Sequence, residues 1–131
     1  MFRALAAICA AAVVLLSCSK ADLETERTLA DVASFIEERP DSALTILDTM
    51  DSFSLTTSAL KARHSLLLAM ARDKNYIDGT TDSIIAPAVS WYRRHGSADE
   101  KLLMNYYRGR IAMNAGDYET AMRWFADGSR F

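Results

Sequence analysis

The stretch Ser97–Phe131, SADEKLLMNYYRGRIAMNAGDYETAMRWFADGSRF, decides the fold. Ser97 lies three residues before Glu100, the spacing of a capping box, in which the serine hydroxyl accepts from the Glu100 NH and the glutamate side chain reaches back. A helix is therefore predicted from Ala98 to about Ala115. Gly116 supplies the left-handed residue that stops it, and Asp117 caps a following helix that carries Ala121, Met122, Trp124 and Phe125. Two helices joined by so short a turn form a hairpin.

The same logic runs backward through the chain. Apolar residues recur at helical spacing and no segment alternates strictly, which predicts an all-α protein of six helices. The first runs from about Leu23 to Glu38, with Leu29, Val32, Ala33 and Ile36 on one stripe. Arg39-Pro40 ends it, and Pro40 suits the first turn of a second helix that carries Ala43, Leu44, Ile46 and Leu47 to about Met50. A third helix starts near Thr56 or Thr57 and reaches about Asp73. Asn75–Thr81, with Asp78-Gly79, reads as a turn. The fourth holds Ile84, Ile85, Val89, Trp91 and Tyr92, with Pro87 imposing a kink or a later start, and ends at Gly96.

Three second helices carry a small residue four positions before a large one: Ala43 and Leu47, Ala88 and Tyr92, Ala121 and Phe125. The small residue admits a neighbouring helix and the large one fills the space between pairs. The spacing from Ala88 to Ala121 is 33 residues (121 minus 88) and that from Ala43 to Ala88 is 45 (88 minus 43), the latter requiring an insertion at the Asn75–Thr81 turn. With Gly109, Gly116-Asp117-Tyr118, Ala121 and Phe125, the last hairpin resembles a tetratricopeptide repeat, whose period is about 34 residues. Asn105, Arg108 and Ala112 depart from that motif, which prefers an aromatic, a leucine and a tyrosine there, so a loosely packed fifth helix is expected. The resemblance implies that Gly109 lets two helices touch and that Tyr118 packs back over the hairpin. It also implies a concave groove lined by first helices, to hold a protein or peptide partner. Carried over by position, Leu103, Tyr106, Arg110, Met113 and Asn114 line it. Tyr and Arg are enriched at binding hot spots, which singles out Tyr106 and Arg110; Tyr106 packing inside the hairpin and Arg110 being merely solvated are the alternatives.

The N-terminus carries an address. Arg3 precedes an apolar run, Ala4 to Leu16, too short to span a bilayer. Leu15-Leu16-Ser17-Cys18 resembles the lipobox of bacterial lipoproteins, which implies cleavage after Ser17 and acylation of Cys18; an ordinary secreted protein is the alternative. Residues 1–17 then form a signal peptide, 18–22 a lipidated tether and 23–131 the repeat domain. Several acyl chains hold a protein on a membrane where one does so only marginally. The only other cysteine, Cys9, leaves with the signal, so no disulfide is expected. Ser19, standing where an aspartate would imply inner-membrane retention, points to the outer membrane. Asp22, Glu24 and Glu26 resemble the acidic tracts of surface-directed lipoproteins, or simply form the solvated start of the first helix.

Composition excludes other classes. The 131 residues hold 15 Lys and Arg against 17 Asp and Glu, a formal charge of -2 that offers no basic field to nucleic acid. Removal of residues 1–17 takes only Arg3 from that count. His64 and His95 lie on different helices without a metal-ligand pattern, and neither a phosphate loop nor a nucleophile elbow appears, so no cofactor, metal or enzymatic activity is expected, a helical envelope enzyme being the remote alternative. Arg93-Arg94-His95 complements the end of the fourth helix or attracts an acidic partner or lipid headgroups. A solenoid needs a polar cap on its last hairpin, and the sequence stops at Gly128-Ser129-Arg130-Phe131 after an apolar helix. The expectation is therefore an adaptor whose last hairpin is covered by a partner or a second copy, or else the N-terminal part of a longer sensor or regulator.

Overall fold

A computed structural model describes residues 20–131; the expected signal peptide, 1–17, and Cys18 lie outside the described residues. The described chain is all-helical. α1 covers 20–35, α2 Pro40–Thr49, α3 Ser58–Lys74, α4 Ala86–His95, α5 Ala98–Asn114 and α6 Tyr118–Gly128, with a 3-10 turn at Ser52–Ser54 between α2 and α3. Residues 20–22, assigned from the sequence to the tether, are already helical, and the Thr56 hydroxyl donates to the Asp22 carboxylate.

Local chemistry sets most boundaries. Thr57 Oγ1 accepts from the Leu60 NH at 3.2 Å and starts α3. Both halves of the Ser97–Glu100 capping box are made, at 3.2 and 2.8 Å. Pro87 stands in the first turn of α4, so that helix starts late instead of kinking. Gly116 has φ +79° and closes α5. Asp78-Gly79 does not turn the chain after α3; Tyr76 does, at φ 57°, an uncommon conformation for a residue with a side chain.

One core runs through α1 to α5, and among the described residues α6 packs on α5 alone. Leu29, Val32 and Ile36 of α1, Ala43 and Leu47 of α2, and Leu66, Met70 and Ala71 of α3 are all buried in it. Ala33, placed on the same stripe from its spacing, is exposed, because that stripe is continued at its N-terminal end by Thr25 instead. Thr25 Oγ1 donates to the carbonyls of Ala21 and Ser54, which satisfies the hydroxyl inside. Ser65, also buried, donates to the Ile84 carbonyl and accepts from the Ala88 NH, tying α3 to the start of α4.

The first helices stack side by side in one register. Arg63 pairs with Glu26, Lys74 with Glu37, and Arg110 with Asp73, each across 37 residues. Two amides repeat the pattern across 35 residues, Asn75 donating to the Pro40 carbonyl and Asn114 to that of Gly79. Equal offsets between successive helices mean that α1, α3 and α5 run parallel. Exposed pairs of this kind contribute little stability each, so their importance is in reporting register.

Equivalence between α3 and α5 is seen in their ends. The capping residues Thr57 and Ser97 are 40 apart (97 minus 57), as are the left-handed residues Tyr76 and Gly116 (116 minus 76). Buried Ser65 and Asn105, and small buried Ala69 and Gly109, match at the same offset. The second helices repeat at 33 because 75–85 joins α3 to α4 while only 115–117 joins α5 to α6.

Burial also predicts the alkaline limit of the fold. Tyr92 and Tyr107 are inside the stack, where desolvation disfavours the phenolate; the Tyr92 phenol is pushed up to about 12 and that of Tyr107 also rises. An unfolded tyrosine ionises near 10, so the folded state alone keeps these protons as the pH rises above it. Stability should be level up to pH ~10 and then fall, by about 1.4 kcal/mol per pH unit per buried phenol. Denaturant midpoints across that window, with phenolate absorbance as the second readout, check this; a flat profile through pH ~12 contradicts it.

Candidate functional site

α5 carries the residues that the sequence assigns to a groove. Its cap and its glycine stop fix its rotation, and the structure separates the assigned residues into two groups. Tyr106 is 44% exposed, and Leu103 is exposed beside it. Arg110 and Asn114 instead serve the fold: Arg110 Nε donates to Asp73 Oδ1 at 2.8 Å, and Asn114 Nδ2 reaches the Gly79 carbonyl at 3.4 Å. The bond to Asp73 holds the Arg110 pKa above its ordinary value. Both residues line a crevice of about 20 Å³ between α3, α5 and the 75–85 connection, with room for no more than a water-sized group. Met113 is half-buried.

Leu102, which the sequence reading passed over, belongs with Tyr106. These residues stand four apart on one side of α5, and both are 44% exposed. Their counterparts forty residues earlier, Ala62 and Leu66 of α3, are 0% and 6% exposed. α3 is contacted by α2, α4 and α5, whereas among the described residues α5 meets α3, α4 and α6, and Gly128 of α6 borders Leu102 without covering it. Tyr106 meets Tyr107 edge to face at a centroid distance of 5.0 Å and Phe125 at 5.8 Å, so the exposed ring is braced. An exposed apolar strip held on a rigid helix can bind a partner without first ordering it.

The motif's other residues divide similarly. Gly109 does let α6 approach, since a Cβ there would lie 2.5 Å from the Phe125 ring. Asn105 is buried rather than loosely packed, its Cβ against Gly128 of α6. Tyr118 does not pack over the hairpin; at the first residue of α6 it is 67% exposed.

A second surface was not legible from spacing. The end of α4, the inner face of α5 and α6 with the C-terminal residues enclose a cleft of about 470 Å³, into which Arg93, Lys101, Arg108 and Arg130 bring four cations against the single carboxylate of Asp127. Two of the four are already paired, Arg130 with Asp127 at 3.3 Å and Arg108 with Asp82 at 3.6 Å; Arg108 also lies 3.6 Å over the Trp124 ring, and its Nε is buried without an acceptor among the described residues. No ion pair among the described residues involves Arg93 or Lys101. Of this set only Arg93 is read from the sequence as attracting an acidic partner.

The histidines are used locally. His64 Nε2–H donates to the Leu47 carbonyl at 2.9 Å, and His95 stacks on Trp91 at 4.1 Å. Among the described residues no three His, Cys, Asp or Glu side chains converge, and no helix is long and apolar enough to cross a membrane. Comparison of the chain with models of known families, with curated proteins and with solved structures finds no match.

Proposed function

We propose that this chain is a lipid-tethered adaptor of a bacterial envelope, built of tetratricopeptide-like hairpins, that binds a helical segment of a partner protein along α5. The observation that carries the reading is the exposure of Leu102 and Tyr106 at positions whose counterparts in α3 are buried. A helix laid along them covers what a neighbouring hairpin covers on α3, with Leu103 and Met113 at the margins and Arg110 held to one side by Asp73. The same strip would equally accept a further hairpin, which is how the reading as part of a larger regulator is retained. Its mechanism is binding and positioning, with Cys18 supplying the outer-membrane anchor.

The test is fractionation and crosslinked capture from envelopes. The wild-type chain should sediment with membranes and capture a defined protein; Cys18→Ala should release it to the soluble fraction. Tyr106→Ala should leave it on the membrane but reduce capture about tenfold or more, the effect of removing one aromatic hot spot. Unchanged capture by both Tyr106→Ala and Leu102→Asp would sink the proposed face, and unchanged membrane retention of Cys18→Ala would sink the anchor.

A further inference from the structure

Charge is polarised along the stack. Residues 20–51 hold nine carboxylates against three Lys or Arg, whereas residues 91–131 hold seven Lys or Arg against five carboxylates. Within the molecule, part of this difference is already used in one direction: carboxylates of one hairpin meet cations of the next, as Glu26 does Arg63, Glu37 does Lys74 and Asp73 does Arg110.

What is left over lies on two surfaces. One is the outer face of α2, where Asp41, Thr45 and Asp48 fall within about 60° of one another around the helix and are all exposed. Thr45 and Thr49 turn their hydroxyls back to carbonyls of their own helix, so the face is a narrow ridge of small side chains flanked by two carboxylates. Neither aspartate forms an ion pair among the described residues. Asp48 stands in the last turn of α2, where the helix dipole disfavours an anion. The other surface is the basic cleft, where the converse holds: Lys101 stands in the first turn of α5, where the dipole disfavours a cation, and its contact is the Phe131 ring at 5.3 Å. Asp48 and Lys101 are thus set against their own helices, Asp41 and Arg93 stand at helix ends that favour them, and none of the four forms an ion pair among the described residues.

They cannot meet within one molecule. α2 packs on α3 and makes no contact with α5 or α6. We infer that the outer face of α2 docks into the basic cleft of a second copy of this chain, Asp41 and Asp48 meeting Arg93 and Lys101, the two cleft cations that form no ion pair among the described residues. Such contacts are head-to-tail, since ridge and cleft are different surfaces, and so they propagate into a chain or close into a ring. Nucleic acid fits the cleft poorly, because it holds a carboxylate and an apolar wall of Met104, Trp124 and Phe131 beside its cations. The contact leaves the α5 strip free, and so stands or falls separately from the adaptor reading.

The experiment is a charge exchange on the full chain in non-ionic detergent, followed by sedimentation. At about 20 mM salt the wild-type mass should rise with protein concentration, and at about 500 mM it should return to that of one chain per micelle. R93E/K101E and D41K/D48K should each weaken association about tenfold or more, and an equimolar mixture of the two should restore it, because each then offers the other a complementary surface. If a double reversal loses its helical circular dichroism, K101M and D48N replace it and should each weaken association in the same direction. A wild-type chain that stays single at low salt, including one whose cleft takes up another acidic protein, overturns the inference. So does association that ignores salt, or a mixture of folded variants that fails to associate.

Discussion

Leu47→Ala is expected to lower the unfolding free energy by about 3 kcal/mol, the middle of the range for truncating a fully buried leucine. Leu47 is 1% exposed and sits in α2 where that helix meets α3. Its side chain fills space that α2 alone cannot close, and its carbonyl accepts from His64 of α3, which restrains the backbone from collapsing into the cavity. For a domain of ~110 residues whose total stability is about 5–15 kcal/mol, this is a large fraction. Equilibrium urea denaturation should show a lower midpoint with an unchanged slope. Leu23→Ala, at a leucine on the exposed side of α1, should change stability by less than about 0.5 kcal/mol. Equal losses at the two positions would mean that burial does not govern stability in this stack.

At Gly109 the usual effect of glycine in a helix should reverse. Alanine in place of an interior helical glycine ordinarily stabilises by about 1 kcal/mol. Here the added Cβ would lie 2.5 Å from Phe125 Cε1 and 2.7 Å from Cδ1, so either the ring moves or α6 is pushed from α5. Gly109→Ala should therefore destabilise by about 1 kcal/mol, and the β-branched Gly109→Val by about 3 kcal/mol, as overpacking does. The diagnostic is a double-mutant cycle. In a Phe125→Ala background the ring is gone, and Gly109→Ala should become stabilising. If the sign does not change, the close approach of α6 is not what the glycine serves.

Those two residues mark different kinds of legibility. That Ala43 and Leu47 lie on one face of a helix follows from a period of 3.6, and both are buried. The same period also put Ala33 on the buried stripe of α1, where it is exposed, because periodicity gives a face but not how wide a neighbour covers it. Gly109 as a crossing point came from the repeat resemblance, and the distance to Phe125 accounts for it physically. Tyr118 came from that same resemblance and projects into solvent, since a motif position carries no information about the local direction of α6. The Asp78-Gly79 pair had good turn chemistry, but the chain had already turned at Tyr76.

The proposed face divides in a similar way. Tyr106 and Leu103 were nameable from position, whereas Leu102 became visible only beside its buried counterpart in α3. Arg110 was nameable too, yet its partner Asp73 lies 37 residues away on another helix, and no local pattern links them. The cleft cations come from α4, α5 and the end of the chain.

By itself the sequence determined the starts of α3 and α6 and both ends of α5, because a cap, a capping box or a left-handed glycine acts through hydrogen bonds among residues a few positions apart. Thr57, Ser97 with Glu100, Gly116 and Asp117 all do so where their spacing places them. Only the tertiary structure decided which helix surfaces are covered, which side chains are held by distant partners and where charge is left unpaired. Those depend on contacts between residues tens of positions apart, and such contacts are set by how whole helices stack rather than by any residue's near neighbours.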